Sequence, residues 1–538
     1  MPGAGTRIVP GAGTRIVDVQ TAVLCRMGGV IVNRIKEVAA AIEGMTRARL
    51  GGIRRGIEKE SLRTGVDGTL SLTPHPRDLG SALTHPSITT DFCESQVELV
   101  TGTHTSVASC LNELRQIHQF VYRHIGEDRL WAGSMPCGLP VDETIPIARF
   151  GTSNIGRAKS VYRVGLGNRY GRRMQVISGI HYNWSMPGLE TEDYFSLIRN
   201  FRRHSFLLLL LQGASPAVCG SFVAGRSHRL VPIAGGGLGL PYATSLRMGR
   251  LGYQSDAQSA LLVSYNNLES YAASLERALT ESHPQYAAIG IHGAAGEYKQ
   301  LSTSLLQIEN EFYSTIRPKR VIEAGERPLH ALRARGVEYV EVRCIDLDPF
   351  EPVGISETMA CFLDLFLLHC LISPSPPDSP GEIAVLLRNQ SLTTERGRDP
   401  EVMLERNGKE VGIVEWSREL LAEMTPIAAA MDAVAGGGYA QSLQTMQSLL
   451  DTPSQLPSAR VLESIGRAPD SSYISFIKAQ SEWAREFVLG LPWSEQTDSA
   501  YRQQAAASLD EQQSIEAHDT VSFEEFRLNY VAPERLRV

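Results

Sequence analysis

Two carboxylates stand at alternate positions early in the chain. Glu58 and Glu60 lie in the segment GIEKESLR, and on a β-strand such side chains point to the same face. Two like charges on one face repel each other unless a cation neutralises them. Oxygen ligands of this kind suit a hard divalent cation such as Mg²⁺. A solvated surface strand shows the same pattern, so both interpretations stay open for this pair.

A second acidic group follows in TTDFCESQVE. Asp91 comes after two threonines and could cap a helix. Asp91, Glu94 and Glu98 would then share one helix face, at i, i+3 and i+7. No Lys or Arg lies on that stripe, which is unusual for a merely solvated helix. The pattern therefore predicts a helix with three carboxylates, either as a surface or as a binding face.

Two further segments have the alternation of strands. In HYNWS, His181 and Asn183 share a face, although a single histidine on a strand is more often structural than catalytic. In YVEVR, Glu341 and Arg343 share a face while valines occupy the other. This pair could be a simple ion pair, or a metal ligand beside a phosphate clamp.

Carboxylates and arginines in the same 300 residues are what a nucleoside triphosphate site requires, because metal ions and fixed cations offset the charge of phosphoryl transfer. The usual nucleotide and hydrolase motifs are absent: the chain has no GxxxxGK[ST], no strand-linked GxGxxG, no kinase signature and no GxSxG. The GGGLG stretch at 235–239 is a flexible turn by default. The residues alone therefore predict a metal–phosphate enzyme of unfamiliar type.

These residues lie in a part of the chain, residues 51–350, in which short strand-like runs alternate with helical patterns. Helices are predicted at 33–49, 362–372, 416–434, 439–450 and 474–489, and a charged end starts at 508. The segment SPSPPDSPG at 373–381 predicts a loop. We therefore expect an N-terminal tail at 1–32 with a PGAGTRIV repeat that is disordered at its start, a catalytic domain at 33–372, and a helical region at 382–538 packed on it.

Composition narrows the functional class. The 538 residues are 43% hydrophobic and 21% charged, as in globular proteins. The net charge of −7 argues against nucleic acid or an anionic membrane as the main partner. No apolar run approaches the ~20 residues of a membrane span. Eight cysteines without a CxxC pair indicate buried, reduced thiols and a cytoplasmic protein.

Several longer strings resemble the glutamate–cysteine ligase family of the proteobacterial type. They occur in family order and include GIEKESLR (56–63), LTPHPRDLGSALTHPSITTDFCES (72–95), FGTSNIGRAKSVYRVGLGNRYG (150–171), ISGIHYNWSMP (177–187), LPYATSLRMGRLGY (240–253), LQIENEFYSTIRPKR (306–320) and GVEYVEVRCIDLDPF (336–350). The resemblance implies an α+β fold. In this fold a mainly antiparallel sheet of about six strands forms a funnel and is surrounded by helices, as in glutamine synthetase and guanidino kinases.

The resemblance also implies a reaction. ATP phosphorylates the γ-carboxylate of L-glutamate, and the amine of L-cysteine attacks the acyl phosphate to give γ-glutamylcysteine, ADP and phosphate. The implied metal ligands, for Mg²⁺ or for Mn²⁺ in its place, are Glu58, Glu60, Asp91, Glu98, His181 and Glu341. Arg343 and Arg163 are implied to stabilise the transferring phosphoryl group.

The substrate pocket is implied in the same way. Arg247 matches a residue that holds a substrate carboxylate, a task suited to a planar bidentate donor. The family's cysteine pocket is matched by Phe92, Tyr162, Leu166, Tyr253 and Tyr313. A small, partly aromatic cavity of this kind would accept CH₂SH and disfavour larger side chains.

The chain departs from the family at one point. Some members pair a cysteine matching Cys137 with one in an insertion after the HYNWSMP-like string. That insertion is missing here, so we expect Cys137 to be free.

We also expect a monomer, with glutathione as a feedback inhibitor. The alternatives are a glutamate ligase that uses another amine, and a catalytically silent regulatory relative. About 157 residues follow residue 381, too few for an additional ATP-grasp module.

Overall fold

The computed structural model describes residues 29–233, 237–252, 258, 261–323, 325–468 and 470–538. The PGAGTRIV repeat and Tyr253 lie outside these ranges. Among the described residues, no helix combines the length and the apolar character that crossing a membrane requires.

The secondary structure is mixed, with short strands and many helices. In chain order the strands are β1 (Arg54–Thr64), β2 (Ile88–Thr90), β3 (Gln96–Val100), β4 (Arg129–Leu130), β5 (Ile180–Ser185), β6 (Ala217–Val218), β7 (Val231–Pro232), β8 (Leu238–Gly239), β9 (Ile316–Lys319), β10 (Tyr339–Ile345), β11 (Met403–Arg406) and β12 (Lys409–Gly412). The first helices are α1 (Gly29–Glu43), α2 (Arg47–Gly51), α3 (Val107–His124), α4 (Asn154–Tyr170), α5 (Arg172–Gln175), α6 (Thr191–His204), α7 (Phe206–Gln212), α8 (Gly220–Val223), α9 (Leu268–Thr280), α10 (Pro284–Ile289) and α11 (Pro328–Arg335). They are followed by α12 (Glu357–Ile372), α13 (Pro380–Arg396), α14 (Ile413–Glu423), α15 (Thr425–Ala435), α16 (Tyr439–Asp451), α17 (Pro457–Arg467), α18 (Tyr473–Leu489), α19 (Glu495–Ala517) and α20 (Phe523–Tyr530).

The central sheet is antiparallel. Its strand order is β2-β3-β1-β5-β10-β9, and β4 pairs with β1 outside this path. Helices surround the sheet, and the chain after β12 is helical. The predicted α+β architecture, with a mainly antiparallel sheet and a helical C-terminal part, is confirmed.

The register separates the two faces of the sheet. Residues directly opposite each other point to the same side, and the pairs on one side are polar: Glu60 with Glu98, Glu58 with His181, and Glu341 with Asn183 and Arg317. The other face is buried and mostly apolar, with Ile57, Tyr182, Trp184, Val340 and Val342 in the core, and it also carries the buried Arg55 and Lys59 of β1. Strand alternation therefore gathers residues that are distant in sequence on one polar face.

The acidic segment at 91–98 does not form the predicted helix. Residues 91–95 form a turn between β2 and β3, in which the Asp91 amide donates to the Gln96 carbonyl at 3.0 Å, and Glu98 lies in β3. Val97 and Leu99 are buried on the face opposite Glu98, so the apolar period is two rather than 3.6. Glu94 lies apart from Glu98 and accepts from the backbone amides of His75 and Arg149, both at 2.8 Å.

The predicted helices are present with two breaks. Helix α12 confirms the core helix at 362–372, and α16 and α18 confirm those at 439–450 and 474–489. The segment at 416–434 forms two helices because Pro426 lies in the first turn of α15, where its missing N–H is tolerated. The segment at 33–49 divides into α1 and α2 around Gly44.

The prediction of a free Cys137 is wrong. Cys137 and Cys219 form a disulfide with a Cα–Cα distance of 5.3 Å and a sequence separation of 82 residues. Cys219 lies directly after β6, which brings it to Cys137 without any insertion. The other cysteines in the described part of the chain are buried thiols: Cys93, Cys110, Cys344, Cys361 and Cys370.

The C-terminal helices pack back onto the first half of the chain. The Arg527 guanidinium donates to the Leu301 carbonyl at 2.7 Å, and Arg327 donates to the Tyr530 carbonyl at 2.6 Å. The Ser81 amide donates to Ser508 Oγ at 2.9 Å. These contacts place α19 and α20 beside the polar face of the sheet.

Candidate active site

A cavity of about 880 Å³ opens on the polar face of the central sheet. The predicted site residues that line it are Glu58, Glu60, Asp91, Phe92, Glu98, Tyr162, Arg163, Leu166, His181, Tyr313, Glu341 and Arg343. Of the predicted residues, Arg247 lies elsewhere and Tyr253 is outside the described residues. Strands that are far apart in sequence therefore bring nearly the whole predicted set into one space.

An acidic cluster forms the floor where β3, β1 and β5 meet. His181 Nδ1 lies 3.0 Å from Glu58 Oε2, and Asn183 Nδ2 donates to Glu58 Oε1 at 2.9 Å. The Gly179 amide donates to Glu60 Oε2 at 2.9 Å. Glu58, Glu98 and His181 each offer a ligand atom, and these atoms lie within 4.8 Å of one another. The neighbours hold the carboxylates in place, so the cluster is preorganised.

The carboxylates of the acidic cluster are buried too close together for all of them to stay ionised without a bound cation. Burial raises the pKa of Glu98 well above its ordinary value, and the nearby Asp91, Glu58 and Glu60 raise it further. Burial and Asp91 raise the pKa of Glu60 to about 8. The His181 Nε2 atom is buried and has no hydrogen-bond partner among the described residues. Clustered oxygen donors with one imidazole nitrogen fit a hard divalent cation.

A cationic group lies beside this cluster at β9 and β10. The Glu341 carboxylate contacts Lys319 Nζ at 3.1 Å and Arg343 Nη1 at 2.8 Å. Burial favours a higher pKa for Glu341, but the charges of Lys319 and Arg343 outweigh it and hold the pKa well below its usual range. Arg317 also lines the cavity. Sequence reasoning noted the string RPKR but not this role, although Arg317 and Lys319 alternate on a strand that pairs with β10.

Helix α4 supplies a second cationic pair from the opposite wall. Arg163 donates to the Asp91 carbonyl and, at 2.9 Å, to the Lys159 carbonyl. Its guanidinium lies 4.4 Å from the centre of the Phe150 ring, a cation–π arrangement. Burial and the charge of Arg163 lower the pKa of Lys159 to about 8. Sequence reasoning did not assign Lys159 to the site, although it lies one helical turn before Arg163.

The apolar end of the cavity is small and partly aromatic. Phe92 and Leu166 are buried in one core cluster, and Tyr162 and Tyr313 pack against that cluster. Gln175 Nε2 donates to the Tyr313 hydroxyl at 2.8 Å, which fixes the ring. This corner can enclose a short side chain.

Arg247 is fully buried and is not among the described residues that line the cavity. Its Nη2 atom donates to the Arg343 carbonyl at 2.9 Å, and Nη1 lies 3.6 Å from Asp346 Oδ1. A Cβ atom on Gly179 would come within 1.9 Å of Arg247 Nη2. Arg247 therefore lies directly beneath Gly179 and supports the strand that carries Arg343.

The C-terminal helices complete the cavity wall. The cavity is lined by Glu511 on α19, by Asp519 just after that helix, and by Phe526 and Tyr530 on α20. The sequence of this region carries no catalytic motif. These residues show only helical periodicity in the sequence, and it is tertiary packing that brings them to the cavity.

The fold and the site define an α+β enzyme whose cavity lies on the polar face of an antiparallel sheet. The family model for glutamate-cysteine ligase matches residues 40–393. The glutamate–cysteine ligase of Alcanivorax borkumensis is 45% identical over 518 residues, covering 92% of this chain and 98% of that protein. The corresponding protein of Saccharophagus degradans is 46% identical over 502 residues, covering 89% and 94%. The chain therefore belongs to the glutamate–cysteine ligase family and is a ligase.

Solved structures agree with this assignment. The crystal structure of glutamate–cysteine ligase from Francisella tularensis in complex with AMP matches with a TM-score of 0.84 and 35% identity, covering 89% of this chain and 97% of that chain. A bifunctional glutathione synthetase from Pasteurella multocida matches with a TM-score of 0.62 and 23% identity, covering 94% of this chain and 58% of that chain. The second likeness concerns the fold alone.

Proposed function

We propose that the chain joins the γ-carboxylate of L-glutamate to the amine of L-cysteine and converts ATP to ADP and phosphate. The product is γ-glutamylcysteine, and the reaction is the first step of glutathione biosynthesis. Family membership supports this function. The observation that carries it is one cavity with an acidic cluster, two cationic groups and a small apolar corner.

The chemistry needs each of these parts. A carboxylate is a poor electrophile, and transfer of the γ-phosphoryl group of ATP converts it to an acyl phosphate with a good leaving group. The cysteine amine then attacks the acyl carbon, and phosphate leaves. Because all the reactants carry negative charge, catalysis depends on positioning and on electrostatic stabilisation.

The acidic cluster, together with Glu341 beside it, is proposed to hold Mg²⁺, or Mn²⁺ in its place. The proposed ligands are Glu58, Glu60, Asp91, Glu98, His181 and Glu341. Bound there, the cations would offset phosphate charge. The chain's own contribution is orientation, since His181 and Asn183 fix the two oxygens of Glu58.

Arg343 and Arg163 are proposed as the catalytic residues that stabilise the transferring phosphoryl group. Each is held by a neighbour, Arg343 by the Glu341 carboxylate and Arg163 by two backbone carbonyls. A guanidinium fixed in this way loses little entropy when charge develops beside it. Lys319 and Lys159 add positive charge on the same two walls.

The apolar corner is proposed to receive the cysteine side chain against Phe92, Tyr162, Leu166 and Tyr313, and Tyr253 stays a prediction. The family resemblance assigns Arg247 to a substrate carboxylate. Its buried place beneath Gly179 favours a positioning role through the Arg343 carbonyl.

Glutathione contains a γ-glutamylcysteine unit and could occupy the same subsites, which supports the proposed feedback inhibition. The cytoplasmic location and the monomeric state also stay predictions. The assignment of residues 33–372 as the catalytic domain is a prediction as well.

The direct test measures ATP-dependent phosphate release with glutamate, with and without cysteine and with a panel of other small amines. Mass spectrometry identifies the product. We expect release to require both amino acids and to yield γ-glutamylcysteine. Faster turnover with another amine would favour the alternative glutamate ligase, and no release with any amine would favour a silent relative.

A further inference from the structure

Three helices meet at a buried cluster that the proposed reaction does not use. Helix α6 ends at His204, α12 carries His369 and Cys370, and α14 ends at Glu423. The two imidazole rings have centroids 5.7 Å apart. His369 Nε2 lies 2.8 Å from Glu423 Oε2. The catalytic cavity is lined by none of these four residues in the described part of the chain.

The donor atoms of this cluster converge without bonding to one another. His204, His369 and Cys370 each offer a ligand atom, and these atoms lie within 4.8 Å of one another. His369 is completely buried. The Nδ1 atoms of both histidines are buried and have no hydrogen-bond partner among the described residues. A buried polar atom without a partner costs about 1–3 kcal/mol, so two at one place require an explanation.

The ligand atoms of this cluster indicate which cation it would bind. Two imidazole nitrogens and one thiolate are ligands of Zn²⁺, whereas hard cations such as Mg²⁺ prefer oxygen. Because His369 Nε2 lies 2.8 Å from the Glu423 carboxylate, the tautomer with its proton on Nε2 is favoured, and Nδ1 then carries the lone pair that can bind a metal. A carboxylate behind a ligating histidine is the usual outer partner of a protein-bound zinc ion.

We propose that His204, His369 and Cys370 bind a Zn²⁺ ion and that Glu423 orients His369. The ion would link the end of α6 to α12, and through Glu423 to α14. Its role is therefore to fix the helical layer, and the transfer chemistry stays in the cavity on the sheet.

The surrounding charges are compatible with this site. Burial and the neighbouring His369 lower the pKa of His204, and a ligating imidazole must be neutral. Burial raises the pKa of the Cys370 thiol, and zinc would displace that proton to solvent as the thiolate–metal bond forms. Zn²⁺ with one thiolate carries a single positive charge, and the Glu423 carboxylate balances it.

Nearby arginines do not leave an unbalanced positive field. Arg203 pairs with Glu382 at 2.7 Å, and Arg406 pairs with Glu419 at 2.6 Å. Arg34 contacts Glu37 at 2.7 Å and lies 3.7 Å from Glu423. The structural alternative is a pair of neutral imidazoles packed beside Trp416, whose ring centroid lies 6.2 Å from that of His204.

Cobalt substitution distinguishes the two interpretations. The purified full-length chain, kept reduced and in excess Mg²⁺, is titrated with Co²⁺ and followed by its absorption spectrum. We expect a thiolate-to-cobalt charge-transfer band that saturates at one equivalent and disappears when Zn²⁺ is added. The acidic cluster on the sheet lacks thiolates and cannot give this band. Absence of the band in the wild type would overturn the proposal.

Variants locate the site. Cys370→Ser and His369→Gln should lose the band, whereas Cys361→Ser, which removes another buried thiol of α12, should keep it. Glu423→Gln should retain the ligands and weaken Zn²⁺ binding about 10–100-fold, which keeps the proposal testable if a ligand variant misfolds. Retention of the band by Cys370→Ser, or its loss in Cys361→Ser, would contradict the assignment. Far-ultraviolet circular dichroism and Mg²⁺-supported ligase activity serve as folding controls.

Discussion

The cavity carboxylates differ in how their charge is balanced. Glu341 is paired with Lys319 and Arg343, whereas Glu98 faces other carboxylates. The first arrangement keeps a carboxylate ionised without a bound cation, and the second does not. The acidic side of the cavity thus depends on a cation far more than the side at β10 does.

Glu341→Gln should lower kcat by about 100-fold or more, because it removes a fixed charge from the reacting centre while keeping the shape of the side chain. Steady-state assays of phosphate release measure this. The matched control is Glu338→Gln, just before β10 and half-exposed, which should leave kcat within twofold. Equal activity of both variants would remove Glu341 from the site.

His85 should make the fold sensitive to acid. Its Nδ1 atom accepts from the amides of Ser87 and Ile88 at 3.0 and 2.9 Å, and burial lowers its pKa to about 4. The unfolded chain, with an ordinary histidine pKa, binds a proton that the folded chain does not. Stability from this residue is therefore complete above pH ~6.5 and is lost as the pH falls toward 4, by at most about 3 kcal/mol.

Urea unfolding measured between pH 7.5 and pH 4.5 checks this dependence. His85→Asn offers an acceptor oxygen without a proton to bind, so its free energy of unfolding should vary less with pH than that of the wild type. His518→Asn, at an exposed position, should follow the wild type. An unchanged pH dependence in His85→Asn would show that other groups dominate.

Residue patterns predicted which side chains share a face, because strand alternation is a local property. Glu58 with Glu60, and Glu341 with Arg343, share faces as expected. The pattern failed at Asp91, Glu94 and Glu98, where helical and strand periods compete over a short segment.

At the scale of elements, pairing register assembles the cavity. Strands β1, β5 and β10 are neighbours in the sheet although the chain between them forms many helices. Sequence predicted the strands but not their order, because pairing depends on contacts distant in sequence. The same limit explains why Cys219 was not recognised as the partner of Cys137.

The Cys137–Cys219 disulfide should stabilise the oxidised chain. Closing a loop of 82 residues removes conformational entropy from the unfolded state, worth about 4.5 kcal/mol in the chain-entropy model. Cys219→Ser should lose this amount in urea unfolding under oxidising conditions. With dithiothreitol, wild type and variant should unfold at nearly equal urea concentrations. Mass spectrometry of the oxidised wild type that finds both thiols reduced would contradict the bond.

At the scale of the whole molecule, the C-terminal helices belong to the cavity. Phe526 lines it and stacks on Tyr530 with ring centroids 5.7 Å apart. No sequence motif marks these residues, because they reach the cavity only through the packing of α20. The strand residues that line the cavity could therefore be predicted from the sequence, whereas those of its C-terminal wall could not.

Phe526→Ala should raise KM for at least one substrate and lower kcat/KM about tenfold, which corresponds to about 1.4 kcal/mol of lost binding. Leu528→Ala is the matched control, because this leucine of the same helix is 55% exposed and should change kcat/KM by less than twofold. Steady-state kinetics with each substrate varied in turn measures both. Equal effects would indicate that α20 acts through stability alone.

The strand order β2-β3-β1-β5-β10-β9 has a consequence for folding kinetics. Glu58 pairs in register with His181, and Asn183 pairs with Glu341, so the site forms only after long loops have closed. Long-range pairing is slow, whereas helices form early. When denaturant is diluted, helical signal should return well before catalytic turnover. The return of catalytic activity would then mark the last step of refolding.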